Sequence, residues 1–441
     1  MPGIPEAAIT RCVTVLHLWE PSLVVLCGPA GAGKSTFAAK WFADTEVLCA
    51  DTVRAWLCDN PSEQGLNDEV FAILHRIAEQ RLTNGRLTVI DATNLETSAR
   101  QPLRQIARRR RLPCHLILVE SDLETIRARN ASRERQVADK VLQSHLAMFA
   151  ELEQALSNER WDRIDRVQAS ELDTLELARQ PLPPVRFDEH GPFDVVGDVH
   201  GCSSELSTLL EILGYASDGN HPQGRRLVLV GDLVDRGPNS VSVLKKVLPW
   251  IEAGHALFVP GNHDDKLARW LKGRAVKVTG GLATTVAEWQ QLSAPEERLL
   301  RRRFLRVMDA APPYLWLDDG QLLISHAGLE EVDHGRLGDA VRAFCLFGKT
   351  TGRVIDGYPE RLDWAMDYAG APHIVHGHVP VRLARWRNQV ADIDLGVVFG
   401  GDLCAMRWPE KTFVTVPAEQ VWWGEGRWGG TEAPDGEPAG Q

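Results

Sequence analysis

The sequence predicts an α/β protein of two domains, and three observations carry that prediction. Its 441 residues exceed what one hydrophobic core ordinarily organises. In the N-terminal part, a glycine-rich loop lies between an apolar strand-like run and a helix-forming segment, and alternating strands and helices there predict a parallel sheet. In the C-terminal half, apolar runs at 193–196, 227–230 and 256–259 each end in a glycine-bounded polar turn, where α/β proteins place their sites.

The predicted domain boundaries follow changes of composition along the chain. We assign the first domain to residues 1–165 and the second to residues 191–420. Residues 166–190 contain Pro-Leu-Pro-Pro at 181–184 and are interpreted as a linker, because proline cannot continue a helix. Residues 421–441 are rich in Gly, Pro and Glu, so we expect a disordered tail.

Charge and cysteine content restrict the class of protein. The formal net charge of -11 argues against a large non-specific DNA-binding surface. Arginine runs at 108–111 and 301–303 are interpreted as solvated helix faces instead of a basic groove. We expect no membrane partner, because no apolar run could span a bilayer and no signal peptide opens the chain. Eight cysteines without a pairing pattern or zinc spacing favour a cytoplasmic location.

The glycine-rich loop at residues 28–35 has the pattern GxxxxGK[ST]. An apolar strand at 22–27 precedes it and helix-forming residues follow, which is the context that this nucleotide-binding pattern requires. Backbone N–H groups of such a loop hold phosphates at a helix N-terminus, so we predict ATP with Mg²⁺ as its ligand. Lys34 would reach the β- and γ-phosphates, and Ser35 would hold the Mg²⁺. The predicted phosphate-binding residues of the loop are Gly28, Gly31, Gly33, Lys34, Ser35 and Thr36.

Two aspartates at predicted strand ends admit two interpretations each. Asp51 ends a short strand and Arg54 follows one helical turn later. As a proton acceptor and a phosphate ligand they fit phosphoryl transfer. On spacing alone, however, a helix N-cap aspartate with a surface arginine is the favoured interpretation. Asp91 is either a carboxylate behind the Mg²⁺ or another helix cap.

Arg129 and Arg133 lie four residues apart in a predicted helical region at 123–152, and therefore on one helix face. Such a face past the last strand of a P-loop kinase forms a lid over the nucleotide phosphates. The alternative is ordinary surface charge on a helix.

The second domain carries candidate metal ligands in its glycine-bounded turns. Asp198 and His200 are two residues apart, so on extended backbone their side chains point the same way. Oxygen and imidazole ligands of this kind suit two divalent transition metals, with Asp232 as the bridge. Two such ions can activate a water and clamp a phosphoryl group. The six predicted ligands are Asp198, His200, Asp232, Asn262, His326 and His378, and His376 stays an alternative to His378.

Three further residues in these turns are not required as metal ligands. Arg236 is assigned to the phosphate oxygens, because its planar guanidinium is a bidentate donor. His263 is assigned to protonation of the leaving-group oxygen, and Asp235 to the orientation of that histidine.

Five short segments of the second half resemble the phosphoprotein-phosphatase branch of the binuclear metallophosphoesterases. They are GDVHG at 197–201, GDLVDRG at 231–237, GNHD at 261–264 and the two later histidines. The resemblance implies a calcineurin-like αββα metallophosphoesterase domain, in which helices flank a β-sandwich. It also implies two Mn²⁺ ions or a similar pair of divalent metals.

The P-loop domain ahead of this phosphatase makes the chain similar to bacterial polynucleotide kinase-phosphatase, the end-healing part of an RNA repair enzyme. The matching elements are Asp51 with Arg54, Asp-Ala-Thr-Asn at 91–94, and Arg129 with Arg133. The segment 393–401 also matches, and the resemblance implies that its Asp394 is required for hydrolysis. The full-length enzyme of that family carries a C-terminal ligase domain, whereas this sequence ends just after the phosphatase. Whether a separate ligase is a partner is left open by the sequence.

The resemblance implies two reactions on one broken strand. The kinase would move the γ-phosphate of ATP to a 5′-hydroxyl, with Asp51 as general base and Arg54 on the acceptor phosphate. Lys34, Arg129 and Arg133 would stabilise the transferring phosphoryl group. The phosphatase would remove a 3′-phosphate or a 2′,3′-cyclic phosphate from RNA ends, with DNA ends as a further substrate.

Metal ligands alone do not distinguish the substrates of such phosphatases. The alternative is a serine/threonine-protein-type or dinucleoside-polyphosphate phosphatase with a regulatory ATP-binding P-loop domain. The kinase interpretation is favoured because Asp51 and Arg54 follow the loop and no arginine-finger partner is evident.

Overall fold

A computed structural model describes residues 15–60, 63, 65–132, 136–355 and 358–424. The chain divides into two compact units. One comprises Met1–Leu182 with Arg336–Asp339, and the other comprises Pro183–Gly335 with Ala340–Gln441. Each unit combines helices with sheets, so the predicted α/β class is confirmed.

The first unit contains seven strands and seven helices among its described residues. The strands are β1 (Val15–Glu20), β2 (Leu23–Cys27), β3 (Val47–Cys49), β4 (Thr88–Asp91), β5 (Cys114–Glu120), β6 (Arg163–Gln168) and β7 (Glu176–Pro181). The helices are α1 (Lys34–Trp41), α2 (Ala50–Cys58), α3 (Asn67–Thr83), α4 (Thr97–Arg109), α5 (Leu123–Ala131), α6 (Asp139–Ala150) and α7 (Leu152–Leu156).

A five-stranded parallel sheet organises this unit, with the order β3-β4-β2-β5-β6. Its central strand β2 is buried along its whole length, because helices cover both faces of a parallel sheet. The glycine-rich loop leaves the carboxyl end of β2 and leads into α1. This position places the loop at the edge where doubly wound sheets bind ligands.

Two predictions for this unit differ from the structure. The single helical region at 123–152 is divided into α5, α6 and the start of α7. Residues 166–190, interpreted as a linker, carry the end of β6 and all of β7, because β7 pairs in parallel register with β1 from Val15↔Glu176 to Glu20↔Pro181. The compact units divide between Leu182 and Pro183, inside the proline cluster.

The second unit contains thirteen strands and six helices among its described residues. The strands are β8 (Val185–Arg186), β9 (Phe193–Val196), β10 (Arg226–Leu229), β11 (Ala256–Phe258), β12 (Tyr314–Leu317), β13 (Leu322–Ser325), β14 (Thr350–Ile355), β15 (Tyr358–Arg361), β16 (His373–His376), β17 (Arg385–Arg387), β18 (Val390–Asp392), β19 (Asp402–Trp408) and β20 (Thr412–Pro417). The helices are α8 (Ser203–Leu213), α9 (Ser240–Ala253), α10 (Asn262–Leu271), α11 (Gly281–Gln290), α12 (Ala294–Ala310) and α13 (Asp339–Phe347).

Two sheets pack face to face in this unit and form the sandwich that the resemblance implied. One has the order β11-β10-β9-β19-β20 and the other β17-β18-β16-β13-β12-β8. One apolar cluster joins the inner faces of both sheets, with Val195 and Met406 from the first and Ile324 and Val375 from the second. Helices α8, α9, α11 and α12 pack on the outer face of the first sheet, and α13 contributes to a cluster with the second.

The predicted tail begins with residues that pack on the second unit. Trp422 and Trp423 contact the cluster that α8 and α9 share, and the Trp422 Nε1–H donates to Glu205 Oε1 at 2.8 Å. An apolar aromatic pair of this kind stabilises the end of the domain, although the surrounding composition is polar. Residues 425–441 of the predicted tail lie outside the described residues.

His115 on β5 makes the stability of the first unit pH-dependent. Its side chain is fully buried, and neither ring nitrogen has a hydrogen-bond partner among the described residues. Burial, together with the charge of Arg163, lowers the pKa of His115 to about 3. Because the unfolded chain takes up a proton that the folded chain refuses, stability is full above the ordinary histidine pKa and falls as the pH drops.

We expect the free energy of unfolding to fall by about 2 kcal/mol between pH 6.5 and pH 5 through this histidine alone. His115→Leu should remove that part of the slope, whereas His190→Leu, at a half-exposed position, should retain it. Urea titrations of the three proteins at both pH values measure the difference. Equal slopes in all three would contradict the assignment.

Candidate metal centre and phosphate loop

The metal centre forms where the strands of the two facing sheets end. Strands β9, β10 and β11 are parallel, as are β13 and β16, so the turns that follow them lie at common edges. These turns carry all six predicted metal ligands, namely Asp198, His200, Asp232, Asn262, His326 and His378.

Two overlapping groups of side chains can each hold a metal ion, and Asp232 belongs to both. The ligand atoms of Asp232, His200 and His263 lie within 4.8 Å of one another, and so do those of Asp232, His326 and His378. The Asp232 Oδ2 is 3.6 Å from His200 Nε2, and its Oδ1 is 3.5 Å from His326 Nε2. The carboxylate of Asp232 is therefore placed to bridge two ions.

Asn262 and Asp198 complete this arrangement. The Asn262 Oδ1 lies 3.1 Å from His326 Nε2, while both carboxylate oxygens of Asp198 accept from the His378 N–H at 3.2 Å. Gly377 is required between them, because a Cβ there would lie 2.0 Å from Asp198 Oδ1. The backbone at Gly377 therefore lies in close contact with the Asp198 carboxylate and fixes the position of His378.

The structure distinguishes the two candidate histidines at the end of β16. The His378 Nδ1 lies 3.0 Å from His326 Nε2, inside the centre. The His376 Nδ1–H instead donates to Gly377 O at 3.0 Å, and its ring packs beside Trp364 with centroids 5.3 Å apart. His378 is therefore the ligand that the geometry supports.

The buried charges of the centre fit divalent cations. Burial, and after it the neighbouring Asp394 and Asp232, raise the pKa of Asp198 well above its usual range. Burial also holds the pKa of His200 and His378 well below the usual histidine value, so each ring is neutral and has one nitrogen with a free lone pair. Neutral imidazoles and buried carboxylates are the donor set that a divalent metal ion requires and stabilises.

The residues that were not required as ligands surround the same centre. The Asp235 carboxylate is fully buried, lies 2.7 Å from His263 Nδ1 and accepts from the Thr285 hydroxyl at 2.8 Å. Arg236 Nη1 lies 2.7 Å from His200 Nε2, and its guanidinium lies over the Phe399 ring. The sequence carried no signal for Thr285 or Phe399, since both contacts are made between distant segments.

Asp394 stands beside the metal centre as a buried acid. Its Oδ1 accepts from the Gly396 N–H at 2.9 Å, and its side chain is 4 % exposed. Burial raises the pKa of Asp394 to about 7, while the nearby Arg236 opposes that rise.

The backbone of the centre is held in a conformation that ordinary side chains rarely adopt. His200, Asp232, Asp235, Arg236 and His378 all have positive φ, between 45° and 79°. Each such residue costs on the order of 1–3 kcal/mol and persists only where the surrounding structure imposes it. Five such residues at one place indicate that the fold gives up conformational stability there and in return orients these side chains.

A prediction follows for the pair of Asp235 and His263. If His263 protonates the leaving group, His263→Ala should slow hydrolysis of alkyl phosphates by about 10²-fold or more, and should slow p-nitrophenyl phosphate much less. Asp235→Asn should act in the same direction, and the double variant should be no worse than His263→Ala alone. Steady-state rates on both substrates measure this. Because His263 is also a member of one metal group, metal content is measured in parallel, and loss of metal would assign His263 as a ligand instead.

The phosphate loop has the backbone that its pattern requires. Gly31 and Gly33 have φ of 85° and 108°, and a Cβ at Gly28 would lie 2.4 Å from Val119 O. The Lys34 Nζ donates to Gly28 O and Pro29 O, each at 2.8 Å, while Ser35 and Thr36 are exposed in the first turn of α1. The ammonium group is thus held over the loop where phosphates bind.

Asp51 and Arg54 form a close ion pair on α2, with Arg54 Nη1 2.6 Å from Asp51 Oδ1. Cys49 and not Asp51 is the N-cap of this helix, and Arg54 is only 6 % exposed. The favoured interpretation from spacing, an N-cap aspartate with a surface arginine, is therefore wrong. Asn67 Oδ1, at 2.7 Å, accepts from the second guanidinium nitrogen and fixes it further.

Arg129 reaches the phosphate loop from α5. Its Nη1 donates to Ala32 O at 3.2 Å, beside Gly33. Its predicted companion Arg133 lies outside the described residues. His145 on α6 was not predicted, yet its Nδ1 lies 3.4 Å from the Ala30 N–H in the loop. Asp91 ends β4 as a mostly buried carboxylate and does not cap α4, whose N-cap is Glu96.

Comparison with known proteins agrees with this geometry. Residues 191–405 match the model of the calcineurin-like phosphoesterase family, and residues 23–153 match that of an AAA domain. The bis(5'-nucleosyl)-tetraphosphatase PrpE (asymmetrical) of Anoxybacillus flavithermus is 46% identical over 230 residues, which are 51% of this chain and 94% of that protein. The chain belongs to the calcineurin-like phosphoesterase family.

Two further similar proteins each match about half of this chain. The Bacillus subtilis protein of the same name is 42% identical over 230 residues, covering 51% of this chain and 94% of that protein. The solved structure described as a putative diadenosine tetraphosphatase has a TM-score of 0.39 and 24% identity, covering 53% of this chain and 96% of that one.

The second unit is thus a metallophosphoesterase domain, and metal-dependent cleavage of phosphate esters is its class of activity. The first unit is a P-loop nucleotide-binding domain of the α/β class. Within the described residues, no helix combines the length and apolar character needed to cross a membrane.

Proposed function

We propose that this chain is a bifunctional nucleic-acid end-healing enzyme. The first unit is an ATP- and Mg²⁺-dependent 5′-hydroxyl polynucleotide kinase, and the second is a 3′-phosphatase that uses two Mn²⁺ ions or similar divalent metals. RNA ends are the proposed substrate, with DNA ends as a further one. The observation that carries the kinase assignment is the Asp51–Arg54 pair, because a nucleotide sensor needs neither a proton acceptor nor a buried acceptor-phosphate ligand.

The kinase residues divide their roles by position. Asp51, which is 57% exposed at its side chain, accepts the proton of the 5′-hydroxyl, and Arg54 holds the phosphate next to it. Lys34 leaves the loop carbonyls for the β- and γ-phosphates. Arg129, and Arg133 with it, neutralise the charge of the transferring phosphoryl group.

The phosphatase residues act around the metal ligands. When bound, the two ions supply a water of lowered pKa and positive charge for the phosphoryl oxygens. Arg236 turns its guanidinium from His200 to the phosphate, and His263 gives its proton to the leaving oxygen. Asp235 holds His263 in orientation, and Asp394 places a negative or neutral carboxyl beside Arg236.

A second function is favoured by the relatives. Proteins that are 42–46% identical to the second unit carry the name bis(5'-nucleosyl)-tetraphosphatase, so the second unit is alternatively a dinucleoside-polyphosphate hydrolase with the P-loop unit as an ATP sensor. A serine/threonine-type protein phosphatase is a further alternative, ranked after the dinucleoside-polyphosphate hydrolase.

Asp51→Ala separates the kinase from the sensor. In a kinase this change should lower phosphate transfer by about 10²-fold or more and leave ATP binding intact, because it removes the proton acceptor and the partner of Arg54 but no residue of the phosphate loop. In a sensor, ATP should bind and still alter phosphatase turnover in the variant. Transfer of ³²P from ATP and fluorescence titration with ATP measure the two properties.

The proposed function is tested by end-group analysis. Nicked RNA and DNA with 5′-hydroxyl and 3′-phosphate ends are treated with ATP and either Mg²⁺ or Mn²⁺, and bis(5′-adenosyl) tetraphosphate and a phosphoserine peptide are treated in parallel. We expect 5′-phosphate and 3′-hydroxyl ends, which a separate ligase would join. ATP binding without transfer to any strand, together with cleavage of the tetraphosphate alone, would overturn the proposal.

A further inference from the structure

A cavity of about 660 Å³ opens beside the metal centre in the second unit. Its walls include Gly377 and the metal ligand His378, and then the segments on either side of β17. A volume of this size is typical of a small-molecule or nucleotide site. The cavity therefore offers space for more of a substrate than the phosphate that the metal ligands hold.

Five cationic side chains line this cavity against two carboxylates, in a chain whose net charge is -11. Arg387 is paired with Asp363 at 2.7 Å, and Lys349 with Glu330 at 2.7 Å. Within the described part of the chain, Arg382 and Arg385 are in no ion pair. A local excess of positive charge in a negatively charged protein indicates an anionic ligand.

His376 supplies a built polar group in the cavity wall. It is 6 % exposed, and its Nε2 has no hydrogen-bond partner among the described residues. Because a carbonyl only accepts, the contact with Gly377 O makes Nδ1 the protonated nitrogen and leaves Nε2 as an acceptor. A buried acceptor without a partner is costly, so a ligand group that donates would satisfy it.

Apolar side chains line the cavity next to its arginines. Leu383 is 68% exposed and Val379 is 37% exposed, and both belong to the cavity wall. Exposed apolar groups beside unpaired arginines suit a ligand that alternates flat apolar rings with phosphates. A nucleic-acid strand has that character, whereas a phosphorylated peptide does not.

We infer that this cavity binds the nucleotides that precede the 3′-terminal phosphate, with Arg382 and Arg385 on internucleotide phosphates and His376 Nε2 accepting from a ribose hydroxyl or a base N–H. The inference rests on the proposed 3′-phosphatase function and specifies its substrate. The substrate is a single-stranded end of several nucleotides, in preference to a free mononucleotide.

The test compares substrates of different length on the full chain with Mn²⁺. The substrates are a 3′-phosphorylated ten-nucleotide RNA, a nucleoside 3′-phosphate and p-nitrophenyl phosphate. For the double variant Arg382→Ala/Arg385→Ala, we expect KM for the ten-nucleotide strand to rise at least about tenfold relative to KM for p-nitrophenyl phosphate. The slope of log KM against log salt should also fall by about 1.4, since each single-strand phosphate contact contributes about 0.7.

The matched control is Arg302→Ala, at an exposed position on α12 and outside the cavity, which should leave the ratio of the KM values at the wild-type value. Hydrolysis of p-nitrophenyl phosphate reports that each variant is folded. If the wild type hydrolyses the ten-nucleotide strand and the double variant keeps its KM, the cavity assignment is overturned and the phosphatase function stands. If the wild type hydrolyses no 3′-phosphorylated strand, both are overturned.

Discussion

Asp232→Asn is expected to lower metal-dependent phosphate-ester hydrolysis at least about a thousandfold. Mutating a residue that only holds a metal ligand in place typically lowers metal affinity or activity about 10–100-fold, and the Asp232 carboxylate belongs to both metal groups itself. The carboxylate is buried between His200 and His326, whose Nε2 atoms lie 3.6 and 3.5 Å from its two oxygens. Removing its charge leaves each candidate ion without its common anionic ligand. Phosphorylation of 5′-hydroxyl ends should be unchanged, since the P-loop belongs to the other unit.

The measurement combines turnover of p-nitrophenyl phosphate with the metal content of the purified protein. Asp265→Asn is the matched control: it lies on α10 near the centre, but its carboxylate pairs with Arg342 at 2.7 Å and is not a member of either metal group. That variant should retain its activity. Wild-type turnover and metal content in Asp232→Asn would show that the metal ions bind elsewhere.

Lys34→Ala is expected to lower ATP-dependent phosphorylation of 5′-hydroxyl ends at least about a thousandfold. Removal of other cationic side chains that contact a transferring phosphoryl group has an effect of this size. The Lys34 Nζ is the ammonium group held at the phosphate loop, 2.8 Å from two of its carbonyl oxygens. No neutral side chain at this position can balance the charge that develops on the γ-phosphate. Phosphatase turnover should stay at its wild-type rate.

Lys40→Ala provides the comparison on the same helix. The Lys40 Nζ donates to the carbonyl oxygens of Leu172 and Asp173 instead of the loop, so its loss should spare transfer. Radiolabel transfer to an oligonucleotide and hydrolysis of p-nitrophenyl phosphate are measured for each variant. Loss of both activities in Lys34→Ala or in Asp232→Asn would mean that the two units do not act independently.

Local patterns predicted the strands that position the site better than the segments between the domains. Apolar runs at 193–196 and 227–230 correspond to β9 and β10 within a residue, because strands buried on both faces are recognisable from composition. By contrast, β1 and β7 were missed. Their pairing joins residues more than 150 positions apart, and β7 is polar and largely exposed, so its segment carries no apolar signal.

The site itself was predictable where one turn carries several functional residues. Asp232, Asp235 and Arg236 arrive together, since the motif encodes the turn and its chemistry at once. Spacing misjudged Asp51 and Arg54, because burial of an arginine depends on neighbours such as Asn67 that the helix does not encode. It also left His376 and His378 equivalent, and only the packing of Trp364 and His326 separates them.

The amino-acid sequence alone determined the two folds, the phosphate loop and the identity of the metal-binding turns, because each is written in residues close together along the chain. The tertiary structure decided which side chains meet: the contact of Thr285 with Asp235, the choice of His378 over His376, and the cationic cavity beside His378. The physical reason is that these contacts depend on sheet order and register, and those are set by long-range packing that no local pattern contains.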